Sequence, residues 1–339
     1  MNKLTKIGVS ALCGSLASVS AAHAGALDVT GGATATWVSN ESTNTGNPIG
    51  LSSGILFTGK GELDNGTAIT LTLSNTDQSA YSAGSIALAT PNWGTFTIDQ
   101  GAGGSGIDRY DDMMPTAWEE TNGAGLGMGF QTVGGVSGSA NVDWKVPASL
   151  LPEGVGVAVA FTPKDSGLGA NDKATDVGGE QNGHGWDVAA EYTGLVDGFK
   201  VFGGISLIEN NALNNSGDRE QLVLGATYAT GMVTVGYQMS QDHKNGSAGS
   251  VNYYENDAWG VSFQINDDLA LSYGEHSSEK SVETGATANV ETTGQSLQLS
   301  YTMGGASIKV ASNSVDNATY TSTTTQDRDG TTVALSLAF

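Results

Sequence analysis

The sequence is nearly free of cysteine, proline and long apolar runs. Its 339 residues include one cysteine, Cys13, and six prolines. If the segment holding Cys13 is removed, disulfides and cysteine-ligated metals are excluded. After Gly25 no stretch reaches the ~18 consecutive apolar residues that predict a membrane-spanning helix. A bundle of membrane helices is therefore excluded as well.

Basic residues are also scarce. The chain has 13 Lys and Arg against 35 Asp and Glu, which gives a formal net charge of −22. Binding to nucleic acid depends on basic side chains that neutralise phosphates, so no nucleic-acid partner is expected.

The first residues have the features of a secretory signal peptide. Lys3 and Lys6 form a basic start, residues 7–20 are mildly apolar, and Ala22-His23-Ala24 is a small-x-small cleavage site. We expect residues 1–24 to be the signal peptide and residues 25–339 the mature domain. Removal of two lysines leaves 13 − 2 = 11 basic residues against 35 acids, a net charge of −24.

The sequence is instead rich in glycine, and its apolar and polar residues alternate with a period of two. There are 49 glycines, and apolar residues recur at every second position, which is the pattern of half-buried strands. Asp64-Asn65-Gly66 is a hairpin turn. The sixteen predicted strands are 27–38, 51–63, 69–73, 86–88, 96–98, 136–145, 155–162, 186–193, 199–208, 222–229, 233–241, 259–265, 269–275, 297–301, 308–312 and 330–339.

The connections between these strands alternate in length. Short turns centre on Asn65, Asn92, Ser149, Val196, Gly231, Asp267 and Gly304. Long linkers are 39–50, 76–82, 101–135, 163–183, 209–218, 243–256, 278–293 and 315–329. All long loops then lie at one end of an antiparallel meander, and both termini lie at the other. An even strand count with this asymmetry predicts an all-β transmembrane barrel.

The stretch 126–130 also alternates and is ambiguous. A strand there would make the count odd and would put the 163–183 loop at the short-turn end. We therefore assign it to the third long loop. The alternative is a hairpin with 136–144 and a different total.

Aromatic residues fall near the predicted strand ends, as in the interface girdles of membrane barrels. The long-loop end has Trp37, Phe161, Trp186 and Trp259, and the short-turn end has Trp144, Tyr192, Tyr228, Tyr301 and Phe339. The alternation also places Leu224 and Val235 on the lipid face. Thr227 and Gln238 are expected to face water.

The last strand has one apolar face. Val333, Leu335, Leu337 and Phe339 alternate with small or polar residues up to the end of the sequence. An unpaired terminal strand would leave its backbone groups unsatisfied in lipid, so this strand is expected to close the sheet.

The sequence as a whole resembles the general porins of Gram-negative outer membranes, in particular the Rhodobacter-type branch. The features that carry the resemblance are the signal peptide, the Gly25-Ala-Leu-Asp-Val-Thr start, the sixteen strands, the long third loop and the terminal Phe339. The resemblance implies a water-filled channel for small hydrophilic solutes and ions. It also implies a third loop folded into the lumen, a homotrimer, and contact with outer-membrane lipid and lipopolysaccharide. The terminal strand would be the signal that the outer-membrane assembly machinery reads.

The third loop then becomes the candidate constriction. Its charged residues are Asp108, Arg109, Asp111, Asp112, Glu119 and Glu120. Five acids against one base predict a preference for cations that weakens as the pH falls towards ~4. The same acids would suit an ordinary exposed loop, or a Ca²⁺ site at Asp108, Asp111 and Asp112. Pro115 could begin one helical turn.

The facing wall departs from the family's arginine cluster, because the chain has only Arg109, Arg219 and Arg328. The predicted inward wall residues are basic at Lys60, Lys145, Lys200 and Lys309, and acidic at Glu62, Asp99, Asp143, Asp187 and Glu191. The direction of the field across the lumen therefore stays open.

Three other functions compete with a general channel. A substrate-selective channel has the same architecture. A barrel-based hydrolase needs a histidine beside a serine or aspartate, but His184, His243 and His276 lie at or beyond predicted loop ends. A Ca²⁺-binding solenoid or adhesin needs a fixed short repeat, which the sequence does not have.

Overall fold

The protein is a closed β-barrel. A computed structural model describes residues 27–40, 46–77, 82–165, 182–210, 217–246, 250–282 and 289–338. Sixteen antiparallel strands form one sheet in which each strand pairs with its neighbours in sequence, and β1 pairs with β16. The strand count, the antiparallel order and the closure confirm the predicted barrel. The predicted signal peptide and Phe339 lie outside the described residues.

The strands are long at both ends of the chain and short around the third loop. The first eight are β1 Leu27–Asn40, β2 Ile49–Glu62, β3 Ala68–Thr76, β4 Ala83–Thr90, β5 Gly94–Gln100, β6 Asn141–Lys145, β7 Val155–Thr162 and β8 Asn182–Tyr192. The second eight are β9 Phe199–Asn210, β10 Arg219–Thr230, β11 Val233–His243, β12 Val251–Asn266, β13 Leu269–Val282, β14 Val290–Met303, β15 Ala306–Asp316 and β16 Arg328–Ala338.

None of the helices in the described residues is long and apolar enough to cross a membrane.

Pairing of β1 with β16 closes the sheet. Ala33 lies opposite Leu337 and Ala35 opposite Leu335. On the inner face, the hydroxyls of Thr34 and Ser336 are 2.9 Å apart and share a hydrogen bond. Closure gives every strand two partners, so no row of unpaired backbone groups faces lipid.

Several strands continue beyond their predicted ends. β12 begins at Val251 rather than 259, β13 ends at Val282 rather than 275, and β14 begins at Val290 rather than 297. The added segments have acidic outward positions, such as Glu255 opposite Glu279. An apolar alternation does not mark these segments, yet their backbones stay paired. The linkers predicted at 243–256, 278–293 and 315–329 are therefore partly strand.

The two faces follow the predicted alternation. Leu224 is 51% exposed on the outer surface, and Val235 points the same way. On the inner face Gln238 is 6% exposed, and Thr227 shares its side through the β10–β11 register.

Most of the aromatic residues predicted at strand ends lie near them, but Trp186, in the middle of β8, and Trp259 do not. Trp259 lies mid-strand in β12, with outward Asp257 and Glu255 continuing above it. Trp259 therefore marks the upper edge of the apolar band and not the end of the strand.

Candidate functional site

The third loop, residues 101–140, runs from β5 to β6 and packs inside the barrel. Ile107, Tyr110, Met114 and Val133 form a buried apolar cluster with inner-wall residues that include Phe202. The rings of Tyr110 and Phe202 are 5.0 Å apart. The loop includes Leu126–Phe130, which forms no strand, so the alternative hairpin with 136–144 is wrong.

Two of the predicted wall acids, Asp99 and Asp143, hold the start of this loop. Asp99 accepts hydrogen bonds from the Ala102 amide and the Ser105 hydroxyl, at 2.7 and 2.9 Å. Asp143 accepts one from the Gly106 amide at 3.0 Å. The sequence placed both acids on the inner wall, but their buried carboxylates bind the loop and do not line open lumen.

Asp187 connects both ends of the loop to β8. One carboxylate oxygen accepts the amides of Ile107 and Val136, at 3.1 and 3.2 Å. The side chain is fully buried. An anionic acceptor makes stronger bonds to amides than a neutral one, so Asp187 fixes where the loop leaves the wall and where it returns.

Other polar side chains of the inner wall, most of them neutral, bind the rest of the loop backbone. Gln221 accepts the Gly135 amide at 2.6 Å. Gln298 accepts the amides of Trp118 and Glu119 at 3.1 Å and donates to the Glu119 carbonyl at 2.7 Å. Further bonds to the loop come from Ser272, Asn256, Asn313, Arg328 and Thr332. The wall therefore replaces the sheet partners that an irregular segment lacks.

Pro115 packs against a flat part of the wall. A Cβ added at inward Gly236 would lie 2.6 Å from its Cδ, and one at Gly260 would lie 2.8 Å from its carbonyl oxygen. Pro115 begins no helical turn, so that expectation is wrong. The loop's short 3₁₀ helices are Gly106–Tyr110 and Thr121–Gly123.

The charged residues of the loop have different surroundings. Asp108 accepts the Gly104 amide at 2.7 Å and the Ser137 hydroxyl at 2.8 Å. Arg109 pairs with Asp143 at 2.6 Å. Glu120 accepts the Met114 amide at 3.2 Å. These three therefore have partners within the protein.

Asp112 and Glu119 are the two exposed acids of the loop. Glu119 and Trp118 line a cavity of about 410 Å³ together with Thr34, Ser52 and Lys309. The Lys309 ammonium lies 5.7 Å from the centre of the Trp118 ring. Lys309, one of the predicted wall lysines, therefore lies beside the acidic loop, and the direction of the field across the lumen stays a prediction.

Burial changes the acidity of these carboxyls. Burial, followed by repulsion from Asp108 and Asp112, raises the pKa of Asp111 to about 7. Burial and then repulsion from Asp112 raise the pKa of Glu120 to about 8. Burial also raises the pKa of Asp112 and of Glu119, although Lys309 opposes the shift at Glu119. The sequence-based expectation of titration near ~4 is therefore wrong for Asp111 and Glu120.

The remaining predicted wall residues lie towards the short-turn end. Lys200 pairs with Glu191 at 2.8 Å, and Lys60 lies 3.5 Å from Asp28. Lys145 lines a cavity of about 310 Å³ together with Arg109, Glu191 and Lys200. Glu62 shares the inner face with Lys60.

Basic and acidic residues are sorted between the two faces of the wall. Every basic residue on a described strand is on the inner face by register: Lys60, Lys145, Lys200, Arg219, Lys280, Lys309 and Arg328. Seven strand acids share that face: Asp28, Glu62, Asp99, Asp143, Asp187, Glu191 and Asp242. The outer face has Glu209, Glu220, Glu255, Asp257, Glu275, Glu279, Glu291, Asp316 and Asp329.

Sequence reasoning missed Arg219, Lys280 and Arg328 as lumen residues, because the strands that carry them were predicted too short. Their ends have no apolar alternation that could have indicated a register. The inner wall is balanced in charge, at seven acids and seven bases on the described strands, so the strongly negative net charge does not describe the lumen.

The described residues contain no group of three or more acid, histidine or cysteine side chains arranged to hold a metal ion. Asp108, Asp111 and Asp112 are thus not brought into a Ca²⁺-binding arrangement, and calcium binding there stays a prediction. His184 pairs with Glu209 at 3.0 Å on the outer surface, and His276 stacks on Phe130 with ring centres 4.1 Å apart.

Comparisons with known proteins agree on the architecture. A family model described as Gram-negative porin matches residues 8–339. A search of curated proteins gave no match. Among solved structures, Salmonella typhi OmpF in complex with daunomycin is similar at 16% identity and a TM-score of 0.70, covering 92% of this chain and 97% of that one.

Two further solved structures are similar over nearly their full length. Vibrio cholerae OmpT in its trimer form has 12% identity and a TM-score of 0.66, with 93% of this chain and 99% of that one covered. A mutant porin of Rh. blastica has 14% identity and a TM-score of 0.56, with 93% and 100% covered. At these identities the structures support the fold alone.

Proposed function

Because the chain belongs to the family of Gram-negative porins, we propose that its barrel is a water-filled channel through which small hydrophilic solutes and ions diffuse passively. Family and fold make it an outer-membrane channel protein and not an enzyme. The long loops then face the cell exterior and the short turns face the periplasm.

One observation supports this function most directly: the third loop is bonded along the inside of the wall from β8 to β16. Asp187 holds it on β8, Gln298 on β14 and Thr332 on β16. The inner faces of β1 and β2, with Thr34 and Ser52, lie across a cavity from Glu119. This arrangement narrows the lumen on one side and leaves a hydroxyl-lined passage on the other.

We propose further that the narrow part prefers cations. Asp112 and Glu119 are exposed on the loop, and Lys309 is the basic side chain in the cavity that Glu119 lines. In a narrow passage with low-dielectric walls, fixed carboxylates attract cations more strongly than in bulk water. The raised pKa values mean that this preference is incomplete at neutral pH.

Planar-bilayer recording tests both proposals. Purified protein should form open channels, and a KCl gradient should give a reversal potential that favours potassium. Replacing Asp112 and Glu119 by amides should move this potential towards zero, whereas Glu153→Gln in an exposed periplasmic turn should not. A wild-type channel that favours chloride would refute the cation preference but not the channel itself.

We also propose that three copies assemble. The outer faces of β1 and β2 present the small residues Gly31, Ala33, Ala35 and Ser53, which allow close packing of another copy. Trimer formation by the similar OmpT supports this. A trimer should persist in unheated detergent gels and dissociate on heating.

Contacts with lipopolysaccharide and recognition of Val333–Phe339 by the assembly machinery remain proposals from the family resemblance.

A further inference from the structure

A group of basic and aromatic side chains lies on the inner wall at the extracellular side of the third loop. We call it the vestibule cluster: Arg219, Lys244, Tyr254, Lys280 and Tyr320. Its position is fixed by the register of β10 to β13, in which Asp242 lies opposite Tyr254 and Tyr254 opposite Lys280.

Tyr320 reaches the cluster from the last extracellular loop. Asn317, Thr319 and Tyr320 all have positive φ angles between 53° and 56°, which are costly for side chains other than glycine. This turn directs the Tyr320 hydroxyl to Ser278 at 2.8 Å, and the hydroxyl accepts the Gln131 amide of the third loop at 2.8 Å. The ring is therefore held rigidly, and it lies 5.1 Å from the ring of Tyr254.

Each ring has an ammonium group above it. The Lys280 nitrogen is 5.4 Å from the centre of the Tyr320 ring, and the Lys244 nitrogen is 5.8 Å from that of Tyr254. Cation–π contacts at such distances orient a lysine without neutralising it. The Lys280 ammonium therefore keeps its charge available to a solute, whereas that of Lys244 is shared with Asp242.

The acids near these cations neutralise only part of the charge. Asp242 accepts a forked pair of bonds from Arg219 at 2.8 and 2.9 Å and lies 3.1 Å from Lys244. Asp165 acts on both cations at longer range, and Asp187 also acts on Arg219. In the described part of the chain no carboxylate forms an ion pair with Lys280. One carboxylate therefore pairs with two cations while the third cation has no paired acid, so the ion pairs of the vestibule cluster leave positive charge at Lys280.

We propose that the vestibule cluster binds small organic oxyanions, carboxylates or phosphates, before they reach the constriction. Lys280 and Lys244 supply charged donors, and Tyr254 and Tyr320 supply a ring surface beside them. Charge-assisted bonds to an oxyanion are about twice as strong as neutral ones. The inference rests on the proposed open channel and adds selectivity at a place separate from the acids of the third loop.

The test is the current through single channels with inorganic phosphate or benzoate added to one side. Extracellular addition should give a saturable, reversible decrease in potassium current. Lys280→Gln and Lys244→Gln should each weaken the apparent affinity by about tenfold, and Lys280→Arg should retain it. Lys60→Gln is the control, since it removes the same charge from the inner wall near the periplasmic end.

Three outcomes would overturn the proposal: a decrease that does not saturate, an equal effect of Lys60→Gln, or lysine variants that bind like wild type. Calorimetric titration of the detergent-solubilised protein with phosphate measures the site without any current. If the protein binds phosphate but does not conduct, the proposed function fails and the site stands. If it conducts and does not bind, the site fails and the channel stands.

Discussion

Carboxylates have two distinct roles in this barrel, and their position decides which. Asp99, Asp143 and Asp187 project from the wall and accept amide or hydroxyl hydrogens of the third loop. Asp112 and Glu119 are exposed on the loop itself, and Glu119 lines a cavity against the wall. Sequence alternation predicts that a wall acid points inward, but it cannot show that a folded loop covers that acid.

At the scale of single residues, Asp187→Ala should loosen the third loop. The substitution leaves the amides of Ile107 and Val136 without their acceptor, at a cost of about 1–3 kcal/mol for each unpaired buried group. We expect noisier single-channel currents and a lower temperature of heat modification. Glu62→Ala, also on the inner face, is the control. Quiet, wild-type currents from Asp187→Ala would contradict the anchoring role.

A second residue-scale prediction concerns pH. The pKa values of about 7 for Asp111 and about 8 for Glu120 mean that both carboxyls are largely protonated below pH 6 and ionised above pH 9. Negative charge therefore appears as pH rises, and cation preference should increase across that range. Reversal potentials measured from pH 5 to 9 check this. Glu120→Gln should flatten the upper part of the curve, and a curve that changes only near pH ~4 would refute it.

At the scale of elements, strand number and order were predictable, but strand length was not. Turn residues and loop-length parity indicate sixteen strands without knowledge of any contact. The upper parts of β12, β13 and β14 could not be recognised because Glu255, Glu279 and Glu291 replace apolar residues on their outer faces. The path of the third loop depends on contacts distant in sequence, such as Pro115 on Gly236, and local patterns do not encode these.

The wall glycines give an element-scale prediction. A side chain at Gly236 would collide with Pro115, so Gly236→Val should displace the loop from β11 and change the single-channel conductance. We expect little loss of barrel stability, because the backbone pairing of β11 with β10 and β12 does not depend on this side chain. Gly59→Val on the outer face of β2 has open space around its Cβ and is the matched control. Equal conductance in both variants would mean that the loop does not need this contact.

The closing strand β16 gives a second prediction at the scale of elements. Leu335 and Leu337 are 45% and 51% exposed on the outer face of β16. A charged residue in the lipid-facing band costs about 2–4 kcal/mol at most, with acids below that limit. Leu335→Asp should therefore reduce the amount of folded protein in the outer membrane, as measured by heat-modified mobility of membrane fractions. Ser336→Asp, one residue further and facing the lumen, should assemble normally, and equal assembly of both variants would contradict the register.

At the scale of the whole molecule, the location of charge matters more than its sum. On the described strands, the outer face has nine acidic residues and no lysine or arginine. The inner face has seven acidic and seven basic residues. Composition gives the sum, but only the register of the closed sheet separates the two faces. An ion selectivity inferred from net charge alone would therefore include the acidic residues of the outer face, which do not line the lumen.

This separation can be tested by changing the net charge without changing the lumen. Glu279 lies directly opposite Glu255 on one side and Glu291 on the other, on the outer faces of the adjacent strands β12, β13 and β14. Their triple substitution by glutamine removes three negative charges, yet the reversal potential should stay at the wild-type value, because the wall separates them from the lumen and salt screens charges beyond ~8 Å. Directly opposed like charges destabilise a sheet, so this variant should also resist heat slightly better. Amides at Asp112 and Glu119 remove only two charges and should shift the potential clearly. If the outer substitution shifts the potential as much as the loop substitution, the acids of the third loop do not set the selectivity of the channel.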